Sequence, residues 1–373
     1  MSCPRHEFEA AGPGDAPHAR RENPGIPAWE SDRLDATAPP EIEDPYFDES
    51  LNAWVLSKYA DVLAAFRSSS LYPIGPNSNA GAEPPDERVV LEMRRETLDA
   101  LSPAQLRGWR EQMAPFVEAL VNGLPTDRSV DLMDEYAQPL CLRLAAMVTG
   151  IELGDAQRLA KVAKPVSESA AEPYDAALRS LAKSANTDLR TCFHAGPIAL
   201  RDPGFVALAH TLPCLLANAW FALLRQPEQW SILHHEPGLM EQAIDELLRY
   251  AGLTRILFRR AAEDTNLNGF EIRKGQRIVL RIVAANRDPE RFAYPDMVDV
   301  ERPGRGHLAL GAAGHSCVGA SLIRMATVMI SQPLLERFSH AMLIDPVEWR
   351  GGSGFRSPAT LPVMLKQPLS LKI

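Results

Sequence analysis

A mainly α-helical fold with small β-sheets is what this sequence predicts, and three observations carry the prediction. Apolar residues return at helical spacing from Val89 to about Leu248. Short strand-like runs flank that stretch: Trp54-Val-Leu56 before it, then the hairpin-like Leu267-Asn-Gly-Phe-Glu-Ile-Arg-Lys-Gly275 and the buried run Ile278 to Ala285 after it. No internal repeat and no linker divides the chain, although 373 residues would allow two or more domains.

Residues 1 to about 40 are rich in Pro, Gly and charge and lack apolar periodicity, so a mobile or loosely packed leader is expected there. Trp54 to Leu56 reads as a strand end and Tyr59 to Phe66 as a helix, followed by a Pro/Gly/Asn loop at 73 to 86. Ser102-Pro-Ala-Gln-Leu106 reads as an N-cap with proline at the first helical position, where its missing N–H costs no hydrogen bond. Pro165 and Pro173, among many Ala and Ser residues, interrupt the pattern beyond. Phe205 to Leu224 is a long apolar segment, and Pro213 within it removes one backbone donor and predicts a kink. Met240 to Tyr250 is helical and sets Glu246 and Arg249 on one face at i, i+3. A further helix begins near Val318.

A hydrophobic content of 46% supports a large core, and a net charge of −9 leaves no basic excess for nucleic acid. The five cysteines, Cys3, Cys141, Cys192, Cys214 and Cys317, are odd in number and widely spaced without a C-x-x-C, which suggests neither a disulfide framework nor a zinc site. The N-terminus lacks the order of a signal peptide, and the apolar segment carries a His and a Pro, so a cytoplasmic protein without membrane insertion is expected.

The stretch Leu310-Gly-Ala-Ala-Gly-His-Ser-Cys-Val-Gly-Ala320 places Cys317 in a glycine-rich turn ahead of an apolar helical run. Glycines at 311, 314 and 319 let the backbone close around the sulfur, and turn amides can spread its charge. The positive end of the following helix should lower the thiol pKa. A thiolate held this way suits a haem iron, and its electron donation favours O–O cleavage. A buried structural cysteine in a glycine-rich loop is the plainer alternative.

The turn resembles the haem-binding signature of the cytochrome P450 superfamily, F-G-x-G-x-H-x-C-x-G-x-x-L-A-R. Gly311, His315, Cys317, Gly319, Leu322 and Arg324 match, while Leu310, Ala313 and Ile323 depart. The succession Glu246-Leu-Leu-Arg249, Arg259, Asp264, the hairpin, the strand run, Asn286-Arg-Asp-Pro289, Phe292 and Pro295-Asp296 is similar to the family's K helix, strands and meander. The resemblance reaches from residue 45 to the end and implies one domain over 41–373. That domain would have the cytochrome P450 fold, a triangular helical prism with haem between the I and L helices.

The resemblance implies haem b with Cys317 as axial thiolate, bordered by Leu310, Gly311, His315 and Gly319; Leu310 in place of Phe would shift the iron potential. Two propionates in an apolar slot need cationic partners, which by position are Arg94, Arg259 and His307. For Arg94 a solvated helix arginine is the alternative, and Val90 stands where the family often has a further histidine. Glu246, Arg249 and Arg302 would form an internal ion-pair network that fixes geometry.

On the distal side the segment Phe205 to Leu224 resembles the I helix, whose A-G-x-D/E-T-T motif falls on Ala207-Leu-Ala-His-Thr-Leu212. Thr211 is kept, but His210 replaces the acid and Leu208 the glycine. The family's acid and alcohol relay protons during oxygen activation. Thr211 and His210 are therefore the catalytic candidates, and His210 either relays protons or faces away as an ordinary helix histidine. Ala207, Thr254, Arg255 and Leu257 are implied to line the substrate pocket. Arg255 would pair with a propionate, turn outward, or hold an anionic substrate group. The interval from Arg94 to Thr211 is short, which implies truncation of the F and G helices, the family's lid over the substrate channel, in the region interrupted by Pro165 and Pro173.

The resemblance thus implies a bacterial monooxygenase that oxidises a small organic molecule in secondary metabolism. A monomer is expected, supplied with electrons by a ferredoxin or flavodoxin and its reductase docking near Cys317. The lost acid leaves an atypical reaction as the alternative: a peroxide-driven oxidation, a rearrangement or a nitrene-type transfer. A non-catalytic haem protein that binds a small ligand is the second alternative.

Overall fold

The computed structural model describes residues 40–75, 86–193, 195–303, 306–344 and 346–368. The leader expected over residues 1–40 lies, save for Pro40, outside them.

The chain opens with β1 (Tyr46–Asp48), β2 (Ala53–Leu56), α1 (Tyr59–Arg67) and β3 (Leu71–Pro73). The helical body follows: α2 (Glu87–Ala100), α3 (Pro103–Gly123), β4 (Val130–Asp131), α4 (Gln138–Thr149), α5 (Leu153–Ala171), α6 (Ala176–Arg190) and α7 (Asp202–Val206). A π-helical turn (Ala207–Thr211) joins α7 to α8 (Leu212–Arg225), before α9 (Pro227–His235) and α10 (Met240–Ala251). Next come β5 (Ile256–Ala261), β6 (Thr265–Leu267), β7 (Phe270–Ile272), β8 (Arg277–Arg281) and α11 (Ile282–Ala285). The chain closes with α12 (Ala320–Arg337), β9 (His340–Leu343), β10 (Trp349–Gly351), β11 (Arg356–Pro358) and β12 (Pro362–Lys366).

Local chemistry explains several boundaries. Ser102 accepts a hydrogen bond from the Gln105 N–H at 3.4 Å, with Pro103 at the first turn of α3, as its sequence predicts. Asp175 caps α6 by accepting from the N–H groups of Ala177 and Leu178. The hairpin β6–β7 turns through Asn268 and Gly269, both at positive φ, the pair that a two-residue turn of matching twist requires.

The main sheet has the order β1-β2-β8-β5-β3, with β2 parallel to β8 and the other pairs antiparallel. Its apolar face packs on α1 through Val62, Ala65 and Phe66. The larger core surrounds α8, in which every residue from Leu212 to Leu224 except Cys214 is buried. Trp220 donates from Nε1 to Ser331 Oγ on α12 at 3.0 Å, and Tyr136 donates its hydroxyl proton to the Ile330 carbonyl at 2.8 Å. These aromatic anchors bury their area with their polar atoms satisfied. The span 198–225 is long and apolar enough to cross a membrane, but 78% of its most apolar window is buried inside the protein.

Three expectations change. Pro165 does not break its segment: α5 continues through it, supported by packing on α4 and α6. The region expected to be truncated holds two full helices, α5 and α6, so the chain is short instead after α6, where among the described residues a single 3-10 turn (Ile198–Leu200) precedes α7. The helix after Cys317 begins at Ala320 rather than near Val318.

Candidate active site

The Cys317 turn is built by its backbone. Cys317 N–H donates to the Leu310 carbonyl at 2.6 Å and Gly311 N–H to the Leu308 carbonyl at 2.9 Å. Gly311 has φ +71°, and a side chain there would collide with the His315 carbonyl, so glycine is required on both counts. Ala313, which replaces the family's second glycine, also sits in the left-handed region at φ 50°. A methyl at Gly319 would lie 3.9 Å from the sulfur, so the absence of one leaves that side open.

Cys317 has accessible surface yet is hemmed in by protein. Burial pushes its thiol pKa up, against the Gly319 N–H and the positive Arg94 and Arg324. The sequence predicts the opposite net direction, because a helix end is visible in a sequence and desolvation is not. A cation at the sulfur would reverse the balance.

Two arginines and a histidine converge beside the turn. Arg94 donates from Nη1 to the Ser316 carbonyl at 2.8 Å and from Nη2 to Ser316 Oγ at 3.1 Å, which removes the reading of a solvated arginine. Arg259 is buried in β5, its Nε has no acceptor, and its Nη1 donates to the Phe258 carbonyl at 2.9 Å. Burial holds its pKa down to about 10. The His315 pKa is lowered by burial, then by positive Arg259 and Arg94. None of the three has a carboxylate partner among the described residues. An unpaired buried guanidinium is costly, and a group with two carboxylates fits this cradle.

His307 is held elsewhere. It donates from Nε2 to Asp245 Oδ1 at 3.3 Å and accepts the Ala309 N–H at Nδ1, at 3.2 Å, so both ring nitrogens have partners within the protein. Arg324 Nε donates to the same Asp245 oxygen at 2.8 Å. Burial opposes ionisation of Asp245, but His307 and Arg324 outweigh it and hold the carboxyl at about 2. Asp245 is a residue that sequence reasoning missed; its neighbour Glu246 was the available signal.

The scaffold network forms as the resemblance implies. Arg249 makes a two-pronged pair with Glu246, at 2.7 Å and 2.8 Å, and also donates to the Asn286, Pro295 and Met297 carbonyls. Arg302 Nε stands 3.1 Å from Glu246 Oε2.

On the distal side the π turn replaces the simple kink. Leu212 N–H bonds to the Ala207 carbonyl, five residues back, just before Pro213, which has no N–H to give. Ala207 is exposed and Thr211 half-buried, in a helix most of whose other residues are buried. The Thr211 hydroxyl bonds to no described residue. Leu208 points into the core, only 3% exposed, so it leaves the side of Ala207 and Thr211 to those two residues. His210 donates from Nε2 to the Ala160 carbonyl on α5 at 2.8 Å. Burial lowers its pKa, keeping the imidazole neutral at pH 7.

Thr254 bridges to Phe355, and Arg255 N–H donates to the Gly354 carbonyl at 2.9 Å. The Arg255 side chain is buried, which excludes the outward-turned reading. Leu257 is half-buried in β5, paired with Leu280.

Comparison with known proteins gives the family and the fold. The family description "Cytochrome P450" matches residues 229–349. A putative cytochrome P450 133B1 of Xylella fastidiosa is 30% identical over 279 residues, 66% of this chain and 69% of the relative. Cytochrome P450 107B1 of Saccharopolyspora erythraea is 28% identical over 366 residues, 84% of this chain and 89% of the relative. In fold, CYP164A2 of Mycobacterium smegmatis superposes with TM-score 0.77 at 22% identity, covering 86% of this chain and 93% of that one. The chain belongs to the cytochrome P450 family, the haem-thiolate oxidoreductases of monooxygenase type.

Proposed function

We propose that Cys317 is the axial ligand of haem b, that Arg94, Arg259 and His315 receive the propionates, and that the chain oxidises a small organic molecule in bacterial secondary-metabolite biosynthesis. The single observation that carries this reading is the cradle beside Cys317, two arginines and a histidine without an acidic partner among the described residues. Relatives named for such pathways, among them a biflaviolin synthase of Streptomyces coelicolor, support the metabolic setting. When bound, the haem supplies reductive activation of dioxygen and oxygen transfer to the substrate.

Around it, Thr211 presents a hydroxyl that bonds to no described residue, from which it can hand on a proton. Ala207 leaves room beside it. Thr254, Arg255 and Leu257 border the substrate. A cytoplasmic monomer served by a ferredoxin or flavodoxin and its reductase completes the proposal.

His210 favours a second reading. Its Nε2 proton is committed to Ala160, which leaves only Nδ1, an acceptor in this tautomer, for a relay. That commitment supports a reaction that bypasses the usual relay: peroxide-driven oxidation, rearrangement or nitrene-type transfer. The test is a spectral screen of the haem protein against a compound library, followed by turnover of each hit. Product with ferredoxin and reductase supports the first reading, and product with peroxide or with substrate alone the second. Hits without any turnover would reduce the protein to a haem ligand binder.

A further inference from the structure

The end of lid helix α5 meets the glycine-rich turn between β10 and β11. Gly354 N–H donates to the Ala171 carbonyl at 3.0 Å, and a methyl at Gly354 would collide with the Ala170 carbonyl. The same turn is fastened to the pocket segment by Arg255 N–H to the Gly354 carbonyl and by the Thr254–Phe355 bridge. It is fastened to α8 by Asn218 Nδ2, which donates to the Arg356 carbonyl at 2.9 Å. Lid, turn, pocket strand and distal helix therefore converge on one junction.

Glu172 stands at that junction. It follows the last residue of α5, and its carboxylate lies directly against Gly352, where any side chain would overlap it. The carboxylate makes no hydrogen bond and no ion pair to any described residue. Burial raises its pKa; Arg356 opposes that shift, and Asp175, itself engaged in capping α6, adds to it. A half-buried acid whose carboxylate takes the room that glycine leaves, and which has only the field of Arg356 and no hydrogen bond or ion pair among the described residues, is costly unless something arrives to meet it.

Resting on the proposed monooxygenase reading, we infer that Glu172 is a specificity-determining residue that receives a positively charged amine or ammonium group of the substrate. The substrate class is then a hydrophobic molecule bearing a basic or quaternary nitrogen, its charge at the junction of lid and turn. Oxidation would fall on a carbon held nearer Thr211.

The experiment uses the haem-loaded full chain and two probes of equal chain length, dodecyltrimethylammonium and dodecan-1-ol, titrated by their effect on the haem spectrum. The quaternary nitrogen cannot ligate iron, so the shift reports pocket occupancy. Wild type should bind the ammonium probe at least tenfold more tightly than Glu172→Gln does, while both bind the alcohol within twofold of each other. Glu172→Lys should reject the ammonium probe and gain affinity for dodecanoate. Equal ammonium affinity in wild type and Glu172→Gln, or no ammonium binding by wild type, would overturn the inference while leaving the haem reading intact. Absence of any thiolate-type haem spectrum in wild type would instead overturn the reading on which it rests.

Discussion

Arg259 lays its guanidinium over the ring of Phe66, 5.1 Å from the centroid, while its Nε stays buried without an acceptor. The ring supports the cation but does not neutralise it, so the site is arranged for a charge that the polypeptide does not provide.

Arg259→Met should therefore act in opposite directions on the two forms of the protein. Removing an unpaired buried charge should stabilise the haem-free form by about 1 kcal/mol or more, and the lost propionate partner should speed haem release at least tenfold. Thermal melts without haem and haem transfer to an acceptor globin measure the two. Destabilisation in both would show that Arg259 is structural only.

The scaffold network gives a larger and one-sided effect. Glu246→Ala or Arg249→Ala leaves a buried charge without its partner, a loss of about 3–5 kcal/mol, comparable with much of a domain's net stability. Little soluble protein is expected from either. Normal melting of both variants would remove the network from this role.

Two small residues in the Cys317 turn should respond in opposite ways. Gly311→Ala forces a methyl into the His315 carbonyl at φ +71° and should abolish haem incorporation. Ala313→Gly relieves a left-handed alanine at φ 50°, a strain of about 1–2 kcal/mol offset in part by glycine's greater freedom when unfolded. It should keep haem and melt no lower than wild type. Haem content and melting temperature decide both.

His210 makes stability depend on pH. Its folded pKa lies below the ordinary 6.5, so as pH falls below 6.5 the unfolded chain binds a proton that the folded chain refuses, and stability drops. Lys164, Glu168 and Arg350 face it and share in its setting. Melting from pH 7.5 to 5.5 should fall more steeply for wild type than for His210→Asn, and parallel curves would contradict the assignment.

What was legible in the sequence was what depends on local spacing. The Cys317 turn, the Ser102 cap, the Asn268-Gly269 hairpin and the Glu246–Arg249 pair each need only a few neighbouring residues. What depends on distant partners was hidden. The hold of Asp245 on His307 links positions 62 residues apart, and that of Ala160 on His210 links positions 50 apart. The upward shift of the Cys317 thiol reflects packing, which no spacing reveals. Pro165 reads as a break because proline weakens an isolated helix, whereas packing on α4 and α6 carries α5 through it.

The central claim is that Cys317 is a thiolate ligand to haem, and the reduced carbon monoxide complex tests it most directly. Wild type should show the strongly red-shifted Soret band that thiolate ligation produces, and Cys317→Ala should lose it. An unchanged band in Cys317→Ala, or a wild-type protein that takes up haem without the shift, would contradict the account.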